Sequence, residues 1–215
     1  MPARVVASGP EGLGAATEAL HRGGVVGIPT DTVYGIAVAL DTPGGVERLF
    51  TIKERPSEKA VMMLVDDPEQ VAGYVEPTAA ARALSPLWPG GLTLVLPLRR
   101  GATLPGALTA GTETLGIRVP DHPVPRAIAR VVGPLPTTSA NPSGAPEARS
   151  ANAVLATLGD RIELILDDGP SPGGVPSTIV DCSGPRARLL RPGAVPIDLV
   201  AAALDAAGVA HDLRP

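Results

Sequence analysis

The chain has 215 residues, 44% of them hydrophobic, with a formal net charge of −4 at neutral pH. That is enough apolar material for a substantial core, which excludes disorder, and the acidic balance excludes a broad electrostatic grip on nucleic acid, so any basic site is local. Aromatic residues amount to 2%, too few for a platform on which single-stranded bases stack.

Taken in chain order, a first helix is predicted from Glu11 to Arg22, ending at Gly23-Gly24, and Val25 to Ile28 reads as a buried strand closed by Pro29. Thr30-Asp31-Thr32 is a polar turn before a second strand, Val33 to Ala39. Thr42-Pro43 reads as N-cap and first residue of a helix running to Glu54, which Pro56 stops. Ala60 to Val65 is a third strand, and Asp67-Pro68 opens another helix. Trp88-Pro89-Gly90-Gly91 is a turn into the strand Leu92 to Leu96, and Thr114 to Val119 is the next strand. Helices follow from Pro123 to Val132, closed by Gly133, and from a Ser150 cap to Gly159. Strands near Ile162 to Leu166, Thr178 to Cys182 and Arg188 to Arg191, then a helix from Ile197 to Ala207, complete the pattern.

Twenty-five glycines and twenty-five prolines punctuate the chain too often for a helical bundle. Short strand-to-strand connections suit antiparallel pairing, so the expected fold class is mixed α and β (α+β), a twisted mixed sheet flanked by helices. One domain covering residues 1–215 is expected. Cys182 is the single cysteine and cannot form an intrachain disulfide, and the N-terminus has neither the charged nor the apolar region of a secretory signal. No apolar run approaches the roughly 18 residues of a membrane span. The expectation is a cytoplasmic protein with no membrane partner.

Five segments break the aliphatic background with polar side chains: Thr30 to Thr32, Lys53 to Lys59, Thr114 to Arg118, Thr137 to Asn141, and Ser177-Thr178 with Arg191. Strand ends and loops are where sites collect, yet each segment has a plainer explanation as an Asx-type turn, a cap or a loop hub. Both lysines, Lys53 and Lys59, lie in one stretch, and every other basic residue except histidine is arginine. Compact ammonium groups suit phosphate, though cations at a helix C-terminus also answer the dipole. Arg118 sits in the apolar strand Leu115-Gly116-Ile117-Arg118-Val119. It is either a buried guanidinium that needs an anionic partner, such as a ligand carboxylate, or a solvent-facing position opposite Ile117. His21, His122 and His211 show no metal-ligand spacing, and Ser139 is not in a Gly-x-Ser-x-Gly elbow. The expected metal site is none, and a hydrolase triad is not expected.

In order along the chain stand Pro29-Thr30-Asp31-Thr32-Val33-Tyr34-Gly35, Lys53-x-Arg55, Trp88-Pro89-Gly90-Gly91-Leu92-Thr93, Arg118-Val119-Pro120-x-His122-Pro123, Ser139-Ala140-Asn141-x-Ser143-Gly144, Ser177-Thr178-Ile179-Val180-Asp181 and Arg191-Pro192-Gly193. Together these resemble the YrdC-like family of threonylcarbamoyl-AMP synthases, over about residues 10–195. The resemblance implies the short form of the family, without its extra C-terminal domain, and a twisted sheet around a deep concave cavity.

It further implies a nucleotidyltransferase that joins L-threonine, bicarbonate or carbon dioxide, and ATP into threonylcarbamoyl-adenylate and pyrophosphate for modification of tRNA adenosine to its N6-threonylcarbamoyl form. A related subfamily lacks the Lys-x-Arg and Ser-x-Asn pairs, and this sequence keeps both. By the same resemblance Thr32, Arg118, Ser139 and Ser177 contact L-threonine, and Arg55, Lys59, Thr114, Asn141, Arg149 and Arg191 contact the nucleotide. Lys53 and Arg55 are the catalytic cations, and Mg²⁺ is held by phosphate oxygens. The implied partners are ATP, L-threonine and bicarbonate, with transient contact to the downstream tRNA threonylcarbamoyl transferase proteins. Family association with structured RNA leaves a non-enzymatic RNA-binding module as the alternative.

Overall fold

The computed structural model describes residues 2–54 and 61–214. Its elements are β1 (Arg4–Ala7), α1 (Pro10–His21), β2 (Val26–Ile28), β3 (Gly35–Ala37), α2 (Gly45–Lys53), β4 (Met62–Leu64), α3 (Ala79–Leu84), β5 (Leu92–Pro97), α4 (Gly106–Thr109) and β6 (Thr114–Arg118), then α5 (Pro123–Val132), β7 (Leu135–Ser139), α6 (Ala151–Leu158), β8 (Leu164–Asp167), β9 (Thr178–Asp181), β10 (Ala187–Arg191), α7 (Ile197–Ala206) and β11 (His211–Asp212). Among the described residues the strands form one sheet of eleven, in the order β1-β8-β2-β3-β7-β4-β6-β5-β9-β10-β11.

The sheet is mixed, as the connection lengths predict. Three pairs that follow one another in sequence, β2 with β3, β5 with β6 and β9 with β10, are antiparallel, whereas β10 with β11, β8 with β2, β4 with β6 and β5 with β9 are parallel. Side chains alternate between the faces, so a strand buried on both sides contributes to two separate cores. Ile165 and Met63 join one core with α2, α3, α6 and α7, while Leu164, Leu166 and Leu64 join the other with α1 and α5. Helices therefore cover both faces, and none of the described helices is long and apolar enough to cross a membrane.

Several local expectations match the structure closely. Gly133 ends α5 at φ 94°, and the helix starts at Pro123 with a cap the sequence reading does not assign, His122, which accepts from the Val124 N–H at 3.3 Å. The Ser150 hydroxyl accepts from the Ala153 N–H at 3.2 Å to start α6, and Gly159 ends it. The start of α2 needs correction, because Thr42-Pro43 is not its cap. Gly44 takes φ 68° and the helix begins at Gly45, whose N–H donates to Thr42 O at 3.0 Å, so a tight turn occupies the place assigned to the first helical turn. A second difference concerns Thr137 to Asn141, a polar segment to which the sequence reading assigns no strand. Its first half is strand β7, lying between β3 and β4 near the middle of the sheet.

Candidate active site

A cavity of about 130 Å³ opens on the sheet, lined by the 30–35 segment and by residues of β4 to β7 and β9. Period-two alternation builds it. Leu92 and Leu94 of β5, Leu115 and Ile117 of β6 and Val180 of β9 point into the opposite core, which sends Thr93, Arg118 and Ile179 to the cavity. Thr137 and Ser139 of β7, Ser177 just before β9 and Arg191 at the end of β10 complete its polar wall. The β10 ladder shifts register between Leu189 and Arg191. Such an irregularity bends the strand and re-aims the side chain that follows.

Arg118 resolves the choice left open by its sequence. It does lie opposite Ile117, but that face is roofed by the 30–32 turn, and Arg118 is 3% exposed. Its Nη2 pairs with Asp31 Oδ1 at 2.6 Å, its Nη1 donates to Thr32 Oγ1 at 2.7 Å and its Nε donates to Gly90 O at 2.9 Å. Burial lowers the Arg118 pKa and Asp31 pulls it back. The turn is itself a hydroxyl-closed loop, since Thr30 Oγ1 donates to Val33 O at 2.7 Å and lies 3.0 Å from Thr32 Oγ1. The Gly173 and Gly174 N–H groups donate to Asp31 O and Thr32 O at 3.1 and 2.7 Å, so the glycine-rich loop clips the turn in place.

Across the cavity, Arg191 donates through Nε and Nη2 to Ser177 O at 3.1 and 2.8 Å, and through Nη2 to Ser177 Oγ at 3.2 Å. Ser177 Oγ lies 2.8 Å from Thr93 Oγ1. Burial lowers the Arg191 pKa, Glu147 opposes that, and Arg118 lowers it further. Arg118 has its anionic partner in Asp31, whereas the bonds of Arg191 just described go to the neutral acceptors of Ser177. Glu147 also lines the cavity, and its Oε2 is buried with no hydrogen-bond partner. An orphaned buried acceptor costs about 1–3 kcal/mol, more when charged.

The Lys-x-Arg and Ser-x-Asn segments meet. Lys53, 3% exposed at the end of α2, sends its ammonium to Ser139 O, to Ser139 Oγ at 3.0 Å and to Asn141 Oδ1 at 3.4 Å. The return contact is a Ser143 N–H donating to Lys53 O at 2.9 Å. Lys53 is outside the cavity lining and acts on the site through Ser139. Arg55 and Lys59 lie outside the described residues.

Of the remaining residues assigned from the sequence, Thr32, Arg118, Ser139, Ser177 and Arg191 line the cavity together. Asn141, Thr114 and Arg149 do not. The Asn141 amide donates to Ala145 O at 2.6 Å and Pro142 O at 3.2 Å, holding the turn after β7. Thr114 shares a face of β6 with Arg118 but lies four residues, roughly 13 Å, along the strand. Arg149 is exposed, with its guanidinium against Gly174. Asp31 and Glu147 were not among the residues assigned a role. Asp31 stood inside a polar motif and offered a signal, whereas Glu147 sits in a loop with no motif around it. Among the described residues no group of three or more His, Cys, Asp or Glu is placed to hold a metal ion.

Comparison with known proteins agrees with this geometry. The Sua5/YciO/YrdC family model, described as telomere recombination, matches residues 18–193. A Bacillus subtilis (strain 168) protein named threonylcarbamoyl-AMP synthase is 38% identical over 183 residues, covering 84% of this chain and 53% of that protein. An Idiomarina loihiensis protein of the same name is 34% identical over 172 residues, with 76% of this chain and 91% of that protein covered. The crystal structure of P. abyssi Sua5 complexed with L-threonine superposes with a TM-score of 0.85 at 32% identity, over 93% of this chain and 58% of that one. The chain thus spans about half the length of the Bacillus relative and most of the Idiomarina one. A family match across most of the sequence, on a fold that brings Thr32, Arg118, Ser139, Ser177 and Arg191 to one cavity, places the chain in the Sua5/YciO/YrdC family.

Proposed function

We propose that the protein is a threonylcarbamoyl-AMP synthase, a nucleotidyltransferase forming threonylcarbamoyl-adenylate and pyrophosphate from L-threonine, bicarbonate or carbon dioxide, and ATP. The observation that carries this reading is the cavity wall, where Arg118 and Arg191 face a ring of hydroxyls from Thr30, Thr32, Thr93 and Ser177. At about 130 Å³ it suits one small molecule, given that a cavity of about 150 Å³ takes benzene. A whole nucleotide is larger than that. In this reading the amino acid occupies the cavity, and the nucleotide extends from it along the β6 face toward Thr114, with Arg55, Lys59, Asn141 and Arg149 as further contacts. The relatives named threonylcarbamoyl-AMP synthase and the L-threonine bound to P. abyssi Sua5 support the choice of substrate.

In the reaction a carbamate oxygen, a weak nucleophile, attacks the α-phosphorus of ATP while pyrophosphate leaves. The protein's task is to hold the two in line and offset negative charge as it shifts. Arg118 and Thr32 orient the carboxylate end, Ser139 is fixed by Lys53 at the opposite wall, and Arg55 meets the phosphates. Among the described residues the cavity offers guanidinium and hydroxyl groups with a single carboxylate, a donor set suited to Mg²⁺ held mainly by phosphate oxygens. Bound there, Mg²⁺ would neutralise phosphate charge. The product is consumed on tRNA, which sets the protein in the cytoplasm beside the downstream transferase proteins.

The deciding experiment measures pyrophosphate release from ATP with and without L-threonine and bicarbonate. Release that requires both, with the adenylate seen by mass spectrometry, is the expected result. No release, together with a salt-dependent affinity for structured RNA, would replace this reading with the RNA-binding one.

A further inference from the structure

Among the described residues lining the cavity, Glu147 is the only one with a carboxylate, and its Oε2 is buried with no hydrogen-bond partner. A carboxylate oxygen accepts hydrogen bonds, and a buried one without a donor in the protein is placed to receive one from elsewhere. The backbone on either side is fixed. The Tyr34 N–H donates to Ala148 O at 2.9 Å and the Ser171 N–H donates to Arg149 O at 2.8 Å, so the segment bearing Glu147 is tied both to the strand side of the cavity and to the glycine-rich loop. Arg191 attracts Glu147 electrostatically, but its Nε and Nη2 donate to Ser177 rather than to Glu147.

The wall therefore carries one unsatisfied acceptor near two guanidinium groups. That pattern is complementary to a zwitterion of small size, with its carboxylate toward the arginines and a three-donor ammonium toward the glutamate. We infer that Glu147 recognises the α-ammonium group of the amino-acid substrate and is the residue that makes the cavity prefer an amino acid to the corresponding acid without nitrogen. The inference rests on the amino-acid reading of the cavity given above.

Calorimetric titration, without ATP or bicarbonate, tests it with two ligands: L-threonine and 3-hydroxybutanoate, which keeps the carboxylate and hydroxyl but has hydrogen in place of the ammonium. The parent protein is expected to bind L-threonine more tightly. Glu147→Gln, which preserves shape and removes the charge, is expected to weaken L-threonine by roughly tenfold or more and to leave 3-hydroxybutanoate within about twofold. Glu147→Asp, shorter but charged, is expected to recover part of the preference for L-threonine. Equal weakening of both ligands, or unchanged L-threonine binding in Glu147→Gln, overturns the role of Glu147 while leaving the substrate reading intact. A parent protein that binds no L-threonine overturns the substrate reading itself.

Discussion

The ammonium of Lys53 lies 3.0 Å from the hydroxyl of Ser139, so two segments 86 residues apart in sequence meet as one buried unit. This contact gives the joint presence of the Lys-x-Arg and Ser-x-Asn segments a physical reason. Each supplies what the other lacks, an ammonium on one side and carbonyl, hydroxyl and amide oxygens on the other. Lys53→Met keeps the length of the side chain but orphans those acceptors, at a cost of about 1–3 kcal/mol. The urea midpoint is expected to fall accordingly, and pyrophosphate release to fall with it because Ser139 loses its anchor. A variant with the parent's midpoint would show that the ammonium is dispensable to the fold.

Arg118 and Asp31 are a buried ion pair at 2.6 Å, with side chains 3% and 14% exposed. Removing one partner strands the other charge, which costs about 3–5 kcal/mol, while removing both costs less than the sum. Asp31→Asn and Arg118→Met are each expected to be strongly destabilised, with a favourable coupling in the double variant by urea denaturation. Strict additivity would mean that the pair contributes nothing beyond its separate contacts.

Gly193 sits where no side chain fits. A Cβ there would lie 2.3 Å from Pro176 O and 2.5 Å from the Ser177 carbonyl carbon and the Thr178 nitrogen, all of them backbone atoms. Gly193→Ala must push apart the two chains that carry Arg191 and Ser177. Overpacking of this kind costs about 1–3 kcal/mol. The expected outcome is a lowered Tm and a raised KM for L-threonine, and an alanine variant matching the parent in both would refute the close approach.

Asp181 titrates below the ordinary carboxylate range. Burial pushes its pKa up, but hydrogen bonds from the Ser183 hydroxyl, from Arg188 and from the Ser183 N–H outweigh that. A carboxyl lowered in the folded state stabilises it above the unfolded pKa, near 3.9, and loses that contribution as pH falls toward the folded value. Urea titrations from pH 6 down to pH 3 are expected to show a steeper loss of stability in the parent than in Asp181→Asn. Parallel curves would remove Asp181 from the acid limb.

Local chemistry made much of this fold legible. The ends of α5 and α6 are written in Pro123, Gly133, Ser150 and Gly159, because capping depends on residues within a few positions. β7 was hidden because Pro136, Thr137, Thr138 and Ser139 have loop-like composition, and only its flanking strands β3 and β4 make them a ladder. β1 escaped for a similar reason, as a short, largely exposed edge strand. In the site, Arg118 advertised itself as a charge within an apolar strand, but its partner Asp31 is 87 positions away. Such pairings follow from sheet order, which periodicity cannot supply. Glu147 had no local signal at all, and only the unsatisfied oxygen in the cavity wall picks it out.

Trp88 is the single tryptophan of the chain, and its indole N–H donates to Leu92 O at 2.7 Å. Two residues after it, Gly90 O accepts from Arg118. Any ligand that draws the guanidinium away from Gly90 pulls on the short segment between that carbonyl and the indole. Trp88 emission is therefore expected to change on occupancy of the site, with no other tryptophan to obscure it and no dye to attach.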